Sequence, residues 1–179
     1  MDNLFDTTSA GGFRFPFTED EKDLLEIRKE IIRESLSDVY DEASRFKTIT
    51  SIKSVDYVND SQAITIDNTG SSLLRCFKPV TWIVAQTDSF TNYEDISEIV
   101  EEKVKSIICL SNNVNDVFSA YGNSKAQLVI NADTIEEAVK IAAIITKPGE
   151  MVLFSPASTV DKDAGRAFNK AVRALKKGL

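Results

Sequence analysis

The chain has 179 residues, of which 42% are hydrophobic, and this length suits one globular domain with its own core. Its 28 acidic and 21 basic residues give a net charge of -7, which repels phosphate backbones and anionic lipid, so neither nucleic acid nor a membrane is expected as a partner. No apolar run approaches the ~20 residues that span a bilayer, and the first residues lack the features of a secretion signal. We therefore expect a cytoplasmic location.

The histidine and cysteine content of the chain gives little support for a metal site or a catalytic nucleophile. The chain has no histidine, and its two cysteines, Cys76 and Cys109, stand far apart without CxxC spacing. A Ser-His or Cys-His nucleophile is excluded because there is no histidine, and we do not expect a zinc site. We predict no metal ligand and no catalytic residue, and we interpret both cysteines as small buried hydrophobes.

The first segment, residues 1–17, mixes glycine, serine, threonine and phenylalanine without a helical or strand period, which is typical of a flexible arm. Its three alternating phenylalanines, Phe13, Phe15 and Phe17, could dock on their own domain or on another protein, and we favour the first. Residues 18–45 begin with capping-box spacing and continue with apolar residues at helical intervals, so they form a predicted N-terminal helical segment.

From Phe46 onward the apolar pattern changes to a period of two, which predicts a strand pair around a turn near Lys53 and Ser54. Four later apolar runs lack alternation, as expected of strands covered on both faces in a parallel sheet. These runs are residues 80–85, 106–110, 127–130 and 151–154.

Helix signals separate the runs. We expect Asn92 to cap a helix whose apolar face extends to Val104, and Thr134 to open another helix that ends before Pro148. A last helix should follow Asp161. The alternation predicts a Rossmann-like, doubly wound α/β domain over residues 46–179, with a mostly parallel sheet flanked by helices. Its ligands would bind beyond the carboxyl ends of the strands.

Residues 59–65 read Asn-Asp-Ser-Gln-Ala-Ile-Thr, which resembles the NDSKAT motif that opens the C-terminal, amino-acid-binding domain of the Mur ligases. The resemblance is closest to the UDP-N-acetylmuramoyl-alanine:D-glutamate ligases and covers roughly residues 26–178. Further matches follow in the family's order and spacing: residues 33–38 with Ser44-Arg45, then residues 85–89, 101–110 and 153–157.

The resemblance implies roles for individual residues. In those ligases ATP phosphorylates a carboxylate and an incoming amine displaces the phosphate, while the C-terminal domain orients the amino acid and contacts the nucleotide. Arg45 and Asp60 fall on residues that help to hold ATP. The amino-acid-binding positions, degenerate in this chain, are Ser61, Gln62, Ile64, Asp88, Ser89, Ser155 and Ser158.

The degeneracy concerns charge. Gln62 and Ser89 stand where the family has two lysines that neutralise the glutamate carboxylates, and Ile64 replaces a threonine. Each lost charge-assisted hydrogen bond costs ~1.5 to 3 kcal/mol of binding. Structural explanations compete with the functional ones: polar residues between a strand and a helix, such as Asp60, often cap or turn the backbone, and an exposed arginine such as Arg45 is often only solvated.

The 179 residues contain neither a GxxxxGK[ST] phosphate loop nor a GxGxxG fingerprint. We therefore expect a free-standing, non-catalytic binding or scaffolding module related to peptidoglycan precursor synthesis, with no cofactor of its own. The alternative is a component of an ATP-dependent D-glutamate ligase that works with a separate ATPase subunit, which would need ATP and magnesium. A protein partner in peptidoglycan synthesis and a homo-oligomer both stay open. A small nucleotide-binding domain rests on fold analogy alone.

Overall fold

The computed structural model describes residues 45–85, 92–110, 115–122 and 128–178. The predicted arm (1–17), the helical segment up to residue 44, and the candidate residues Asp88 and Ser89 lie outside these described residues. The described part contains a six-stranded sheet in the order β1-β2-β6-β3-β4-β5. None of its helices is long and apolar enough to cross a bilayer.

The sheet begins with an antiparallel hairpin. Strands β1 (Lys47–Ile52) and β2 (Val55–Asn59) are joined by Lys53 and Ser54, whose φ angles are 49° and 64°. Two successive residues with positive φ are what a two-residue hairpin turn of the type I′ class needs, because that turn matches the twist of the strands. The predicted strand pair and its turn are confirmed.

The other pairings are all parallel. β2 pairs with β6 (Met151–Phe154), β6 with β3 (Val80–Ala85), β3 with β4 (Val104–Leu110), and β4 with β5 (Leu128–Ala132). Each of the four apolar runs is therefore a strand, and the mostly parallel sheet is confirmed. One boundary was wrong: Val104 opens β4 instead of closing the preceding helix, since a β-branched residue fits the buried strand.

Five α-helices cover the two faces of the described sheet. One face carries α1 (Ile66–Leu74), α2 (Ser97–Lys103) and α3 (Asn115–Tyr121), and the other carries α4 (Ile135–Ile145) and α5 (Ala164–Lys177). Successive strand residues point to opposite faces, so Trp82 packs in the core under the first group and Ile83 in the core under the second. The doubly wound arrangement is confirmed.

Local capping explains where the helices begin. Thr134 Oγ1 accepts from the Glu137 amide at 3.1 Å, and the Glu137 carboxylate accepts from the Asp133 amide at 2.9 Å. Asn92 behaves differently from the prediction, because it makes no capping bond to the backbone and donates to Asp95 Oδ1 at 2.7 Å. A 3-10 turn, Tyr93–Ile96, follows it before α2 begins.

Candidate functional site

The candidate residues of the loop after β2 and of the loop after β6 meet at the carboxyl edge of the sheet. The Asp60 amide donates to the Phe154 carbonyl at 2.8 Å, and the Ser155 amide donates to the Ile83 carbonyl at 3.1 Å. These bonds continue the strand pairing for one residue past the ends of β2 and β6. The edge is where open α/β sheets bind their ligands.

The Asp60 carboxylate is enclosed and bonded on both oxygens. Its side chain is 2% exposed, Oδ1 accepts from the Phe46 amide at 3.0 Å, and Oδ2 accepts from the Ser72 hydroxyl. Burial raises the pKa of Asp60, because desolvation outweighs the opposing effect of these two donors and of the Arg75 and Arg45 charges. Asp60 therefore links the start of β1 to α1 through a carboxylate that is costly to ionise.

A polar cavity of about 150 Å³ lies beside this carboxylate. Its chemistry combines guanidinium, amide and hydroxyl groups with one acid, which suits a ligand that carries hydroxyl or anionic groups. The Arg75 guanidinium lies 4.3 Å from the centre of the Phe46 ring, a cation-π contact that orients it. The cavity is lined by Arg45, Asp60, Ala63, Asn68, Ser71, Ser72 and Arg75.

The cavity brings Arg45 and Asp60 together, as the two predicted nucleotide-contacting residues would require. The sequence interpretation missed the α1 contributions from Asn68, Ser71 and Arg75. Their signal was present, because residues spaced by three or four along a helix share one face. A helix after Asp60 was expected, but the sequence does not indicate which face of that helix turns toward Asp60, so this spacing alone did not identify the three residues.

Asn59 and Ser61 pack against the start of α5. The Asn59 side-chain amide donates to the Gly165 carbonyl at 3.0 Å and to Asn169 Oδ1 at 2.8 Å, and Asn59 Oδ1 accepts from the Ser61 amide at 2.9 Å. A Cβ at Gly165 would lie 2.3 Å from Ser61 Oγ and 3.1 Å from Ser61 Cβ, so a larger residue there would force the Ser61 side chain to move. Ser61 is therefore held between the β2 loop and α5.

The two serines after β6 are enclosed. Ser155 is fully buried, and its hydroxyl lies 2.8 Å from the Thr69 hydroxyl. The Ser155 carbonyl accepts from the indole N–H of Trp82 at 2.8 Å. Ser158 is 2% exposed. In this state the Ser155 hydroxyl joins α1 to β6 instead of facing solvent, and the amino-acid-binding role of both serines stays a prediction.

The remaining two described candidates, Gln62 and Ile64, are exposed, with Ile64 at 45%. Between them Ala63 is buried, and its carbonyl accepts from the Ala157 amide at 3.0 Å, which fastens the loop to the segment after β6. Gln62 thus stands on a well-anchored loop and presents a neutral amide to solvent at the carboxyl edge of the sheet.

Comparisons with known proteins place this arrangement in a family context. No family model matches the chain. A UDP-N-acetylmuramoylalanine--D-glutamate ligase of Christiangramia forsetii is 35% identical over 158 residues, covering 85% of this chain and 35% of that protein. The proteins of the same name from Porphyromonas gingivalis (strain ATCC 33277) and Bacteroides fragilis (strain YCH46) are 32% and 28% identical, over 84% and 97% of this chain.

The chain is a relative of the Mur ligases. It spans about a third of the length of these curated relatives, 35% of the first one. Solved structures agree on the fold: a murein peptide ligase from Psychrobacter arcticus superposes with a TM-score of 0.56 at 9% identity, over 75% of this chain and 30% of that one. A domain from a Haemophilus ducreyi ligase gives a TM-score of 0.53 at 16% identity, over 73% of this chain and 99% of that one. This Mur ligase relative has the Rossmann-like fold of the family's C-terminal domain.

Proposed function

We propose that this Mur ligase C-terminal-like domain acts as a non-catalytic binding or scaffolding module in peptidoglycan precursor synthesis. One observation carries the proposal. The loop after β2 is anchored as a binding loop should be, yet it presents the neutral Gln62 where the resemblance implies a lysine, while Asn59 and Asp60 are engaged in internal hydrogen bonds.

The physical argument concerns the carboxylates of a bound amino acid. A carboxylate that leaves water must regain the lost solvation from a cation or from several donors. Gln62 supplies two N–H donors and no net charge. A ligand with two carboxylates, such as D-glutamate, would therefore bind more weakly at this loop, by ~1.5 to 3 kcal/mol for each charge-assisted hydrogen bond that is missing.

The first experiment measures catalysis directly. The purified chain is incubated with ATP, magnesium, D-glutamate and a UDP-N-acetylmuramoyl-alanine substrate, and phosphate release and amide product are followed. We expect neither to exceed the buffer rate. Phosphate release that Asp60→Ala abolishes, and that the exposed Asp133→Ala leaves intact, would contradict the proposal.

The second experiment restores the missing charge. We expect Gln62→Lys combined with Ser89→Lys to produce saturable calorimetric heat with D-glutamate, while the unchanged chain gives none up to millimolar ligand. Ser119→Lys with Asn131→Lys adds the same charge at exposed positions elsewhere and should give no heat. Absence of any gain in the first pair would refute the assignment of these two positions to a former amino-acid pocket.

A second candidate function rests on the cavity beside Asp60. Its guanidinium and amide groups would suit one part of a nucleotide, such as a phosphate group, so this domain could serve as part of an ATP-dependent D-glutamate ligase that works with a separate ATPase subunit. Titration with Mg-ATP distinguishes the two: binding that Arg45→Ala weakens supports the ligase component, and absence of binding supports the module. ATP and magnesium are cofactors only if the domain is a component of the ligase.

Location and assembly remain predictions. The cytoplasmic location is an expectation from the sequence, and a partner protein in peptidoglycan synthesis and a homo-oligomer are open alternatives. Light scattering of the purified chain over a concentration series tests the oligomer, because a mass that stays at the 19.8 kDa monomer would contradict it.

A further inference from the structure

A second, larger cavity lies near the amino-terminal end of β2, away from Asp60, which follows the carboxyl end of that strand. This groove has a volume of about 610 Å³ and is bounded by the hairpin turn, the end of α4 and the end of α5. Its floor includes Ile52 and Val55 from the hairpin. Val55 and Tyr57 of β2 line the groove, and Asp60 follows β2, so the two sites are separated by three to five strand positions, roughly 10 to 17 Å along the strand.

The lining of the groove is mostly apolar, with the polar Tyr57 and Thr146 among its residues and a cationic border. Leu175 from α5 and Ile144 from α4 add to the hairpin residues, and Ile144 is 83% exposed. Among the described residues that line the groove, the charged ones are Lys53 and Lys140, both of them exposed lysines. This is notable in a chain whose acidic residues outnumber its basic ones by 28 to 21.

The dimensions and lining match those of small-molecule sites. Such sites are concave, measure ~300 to 1,000 Å³, and combine a mostly apolar wall with a few polar groups that orient the ligand. Lysine side chains lie along apolar surfaces by their methylene stems and keep the ammonium group at the border. A ligand that fits both features has an apolar body and a negative end.

We propose that this groove binds a small anionic amphiphile with a single apolar chain. The apolar tail of the ligand lies against Ile52, Val55 and Leu175, and its carboxylate or phosphate head group is held by Lys53 and Lys140. The site needs none of the residues at the carboxyl edge of the sheet, so its occupancy is independent of the proposed function.

Two opposing electrostatic effects act on the charge of the ligand's head group in this groove. α4 and α5 both end here, and helix C-termini carry a partial negative charge that favours cations. The two lysines oppose this effect with full charges. Comparing ligands of opposite charge and equal chain length therefore decides which contribution dominates.

The probes are dodecanoate and dodecyltrimethylammonium, each titrated calorimetrically below its micelle concentration into the full chain. We expect saturable binding of dodecanoate, at least tenfold tighter than that of the cationic probe. Replacing dodecanoate by the shorter decanoate should weaken binding by up to about fourfold per methylene group removed. Absence of dodecanoate binding, or equal binding of both head groups, would overturn the proposal.

Variants locate the site. Lys53→Glu with Lys140→Glu should weaken dodecanoate binding at least tenfold, and Ala143→Phe, a change at an exposed position that lines the groove, should block it. Lys162→Glu with Lys170→Glu makes the same change of net charge outside the groove and should leave the affinity unchanged. Equal losses in both pairs would refute the groove as the site, and unaltered thermal melting of each variant guards against misfolding.

Discussion

The side-chain amide of Asn59 donates to the side-chain oxygen of Asn169 across 2.8 Å, which joins the end of β2 to the middle of α5. Both residues are buried, at 6% and 3% exposure. The contact spans 110 positions of sequence, so it forms only when β2 and α5 have come together. The hydrogen bond therefore stabilises the fold, and it also lies next to the candidate residues Asp60 and Ser61.

Asn59→Ala should destabilise the chain by about 2 to 4 kcal/mol, because it removes a buried donor from two acceptors, Asn169 Oδ1 and the Gly165 carbonyl. Urea unfolding gives the free energy. Asn131→Ala, at an exposed position in β5, is the matched control and should change stability by less than about 0.5 kcal/mol. Similar small losses in both variants would show that the Asn59 network contributes nothing.

Asp60→Asn should change the pH dependence of stability. Because burial raises the pKa of Asp60 in the folded state, the protonated carboxyl favours folding below the unfolded pKa, near pH ~4, and that contribution is lost as pH rises through the folded pKa. An amide cannot ionise. Relative to the wild type, the Asp60→Asn variant should therefore gain stability as the pH rises from about 4 through the folded-state pKa of Asp60.

Urea unfolding of both proteins at several pH values measures this gain. The exposed Asp133→Asn makes the same change of charge and should show no comparable trend. A wild-type stability that rises relative to Asp60→Asn over this pH range would mean that the donors from Phe46 and Ser72 outweigh desolvation.

Thr69→Val should cost about 1 to 3 kcal/mol, because it leaves the fully buried Ser155 hydroxyl without the partner that now lies 2.8 Å away. Combining it with Ser155→Ala removes both hydroxyls and should recover part of the loss, since no unpaired polar group then remains. A double-mutant cycle by urea unfolding gives the coupling. Purely additive losses would contradict a structural role for this hydroxyl pair.

Both thiols should be unreactive in the folded protein. Burial raises the pKa of Cys76 to about 11 and that of Cys109 to about 12, and the side chains are 1% and 2% exposed. At pH 8 about one Cys76 thiol in a thousand is then ionised. Ellman's reagent should detect no rapid equivalent in buffer and two in urea. One rapid equivalent in buffer would show that a core opens locally.

Much of the fold could be predicted from the sequence because its strands are short uninterrupted apolar runs. Residues 80–85 and 151–154 became β3 and β6 with the expected bounds, since strands buried on both faces tolerate few polar side chains. Capping groups fixed the start of α4 through Thr134. The boundary at Val104 failed because the helix period and the strand pattern overlap there, and pairing with Val80 decides it.

The site was less predictable, because it depends on which side chains satisfy one another after folding. The motif identified Asp60, but nothing local indicates that Ser72 and the Phe46 amide would occupy its carboxylate. Likewise Ser155 follows a strand end that suggests a ligand contact, and only the packing of α1 supplies Thr69 as its partner. Such long-range pairings leave no periodic signal in the sequence.

The sheet also acts as a partition. Within the described residues the apolar core around Trp82 and Val100 and the core around Phe154 and Phe168 share no side chain, although both rest on the same strands. A substitution in one compartment therefore reaches the other only through the backbone of the shared strands. The compartment under the Asp60 site can be repacked while the opposite one continues to hold the strands in register, so the two faces of the sheet should tolerate core substitutions separately.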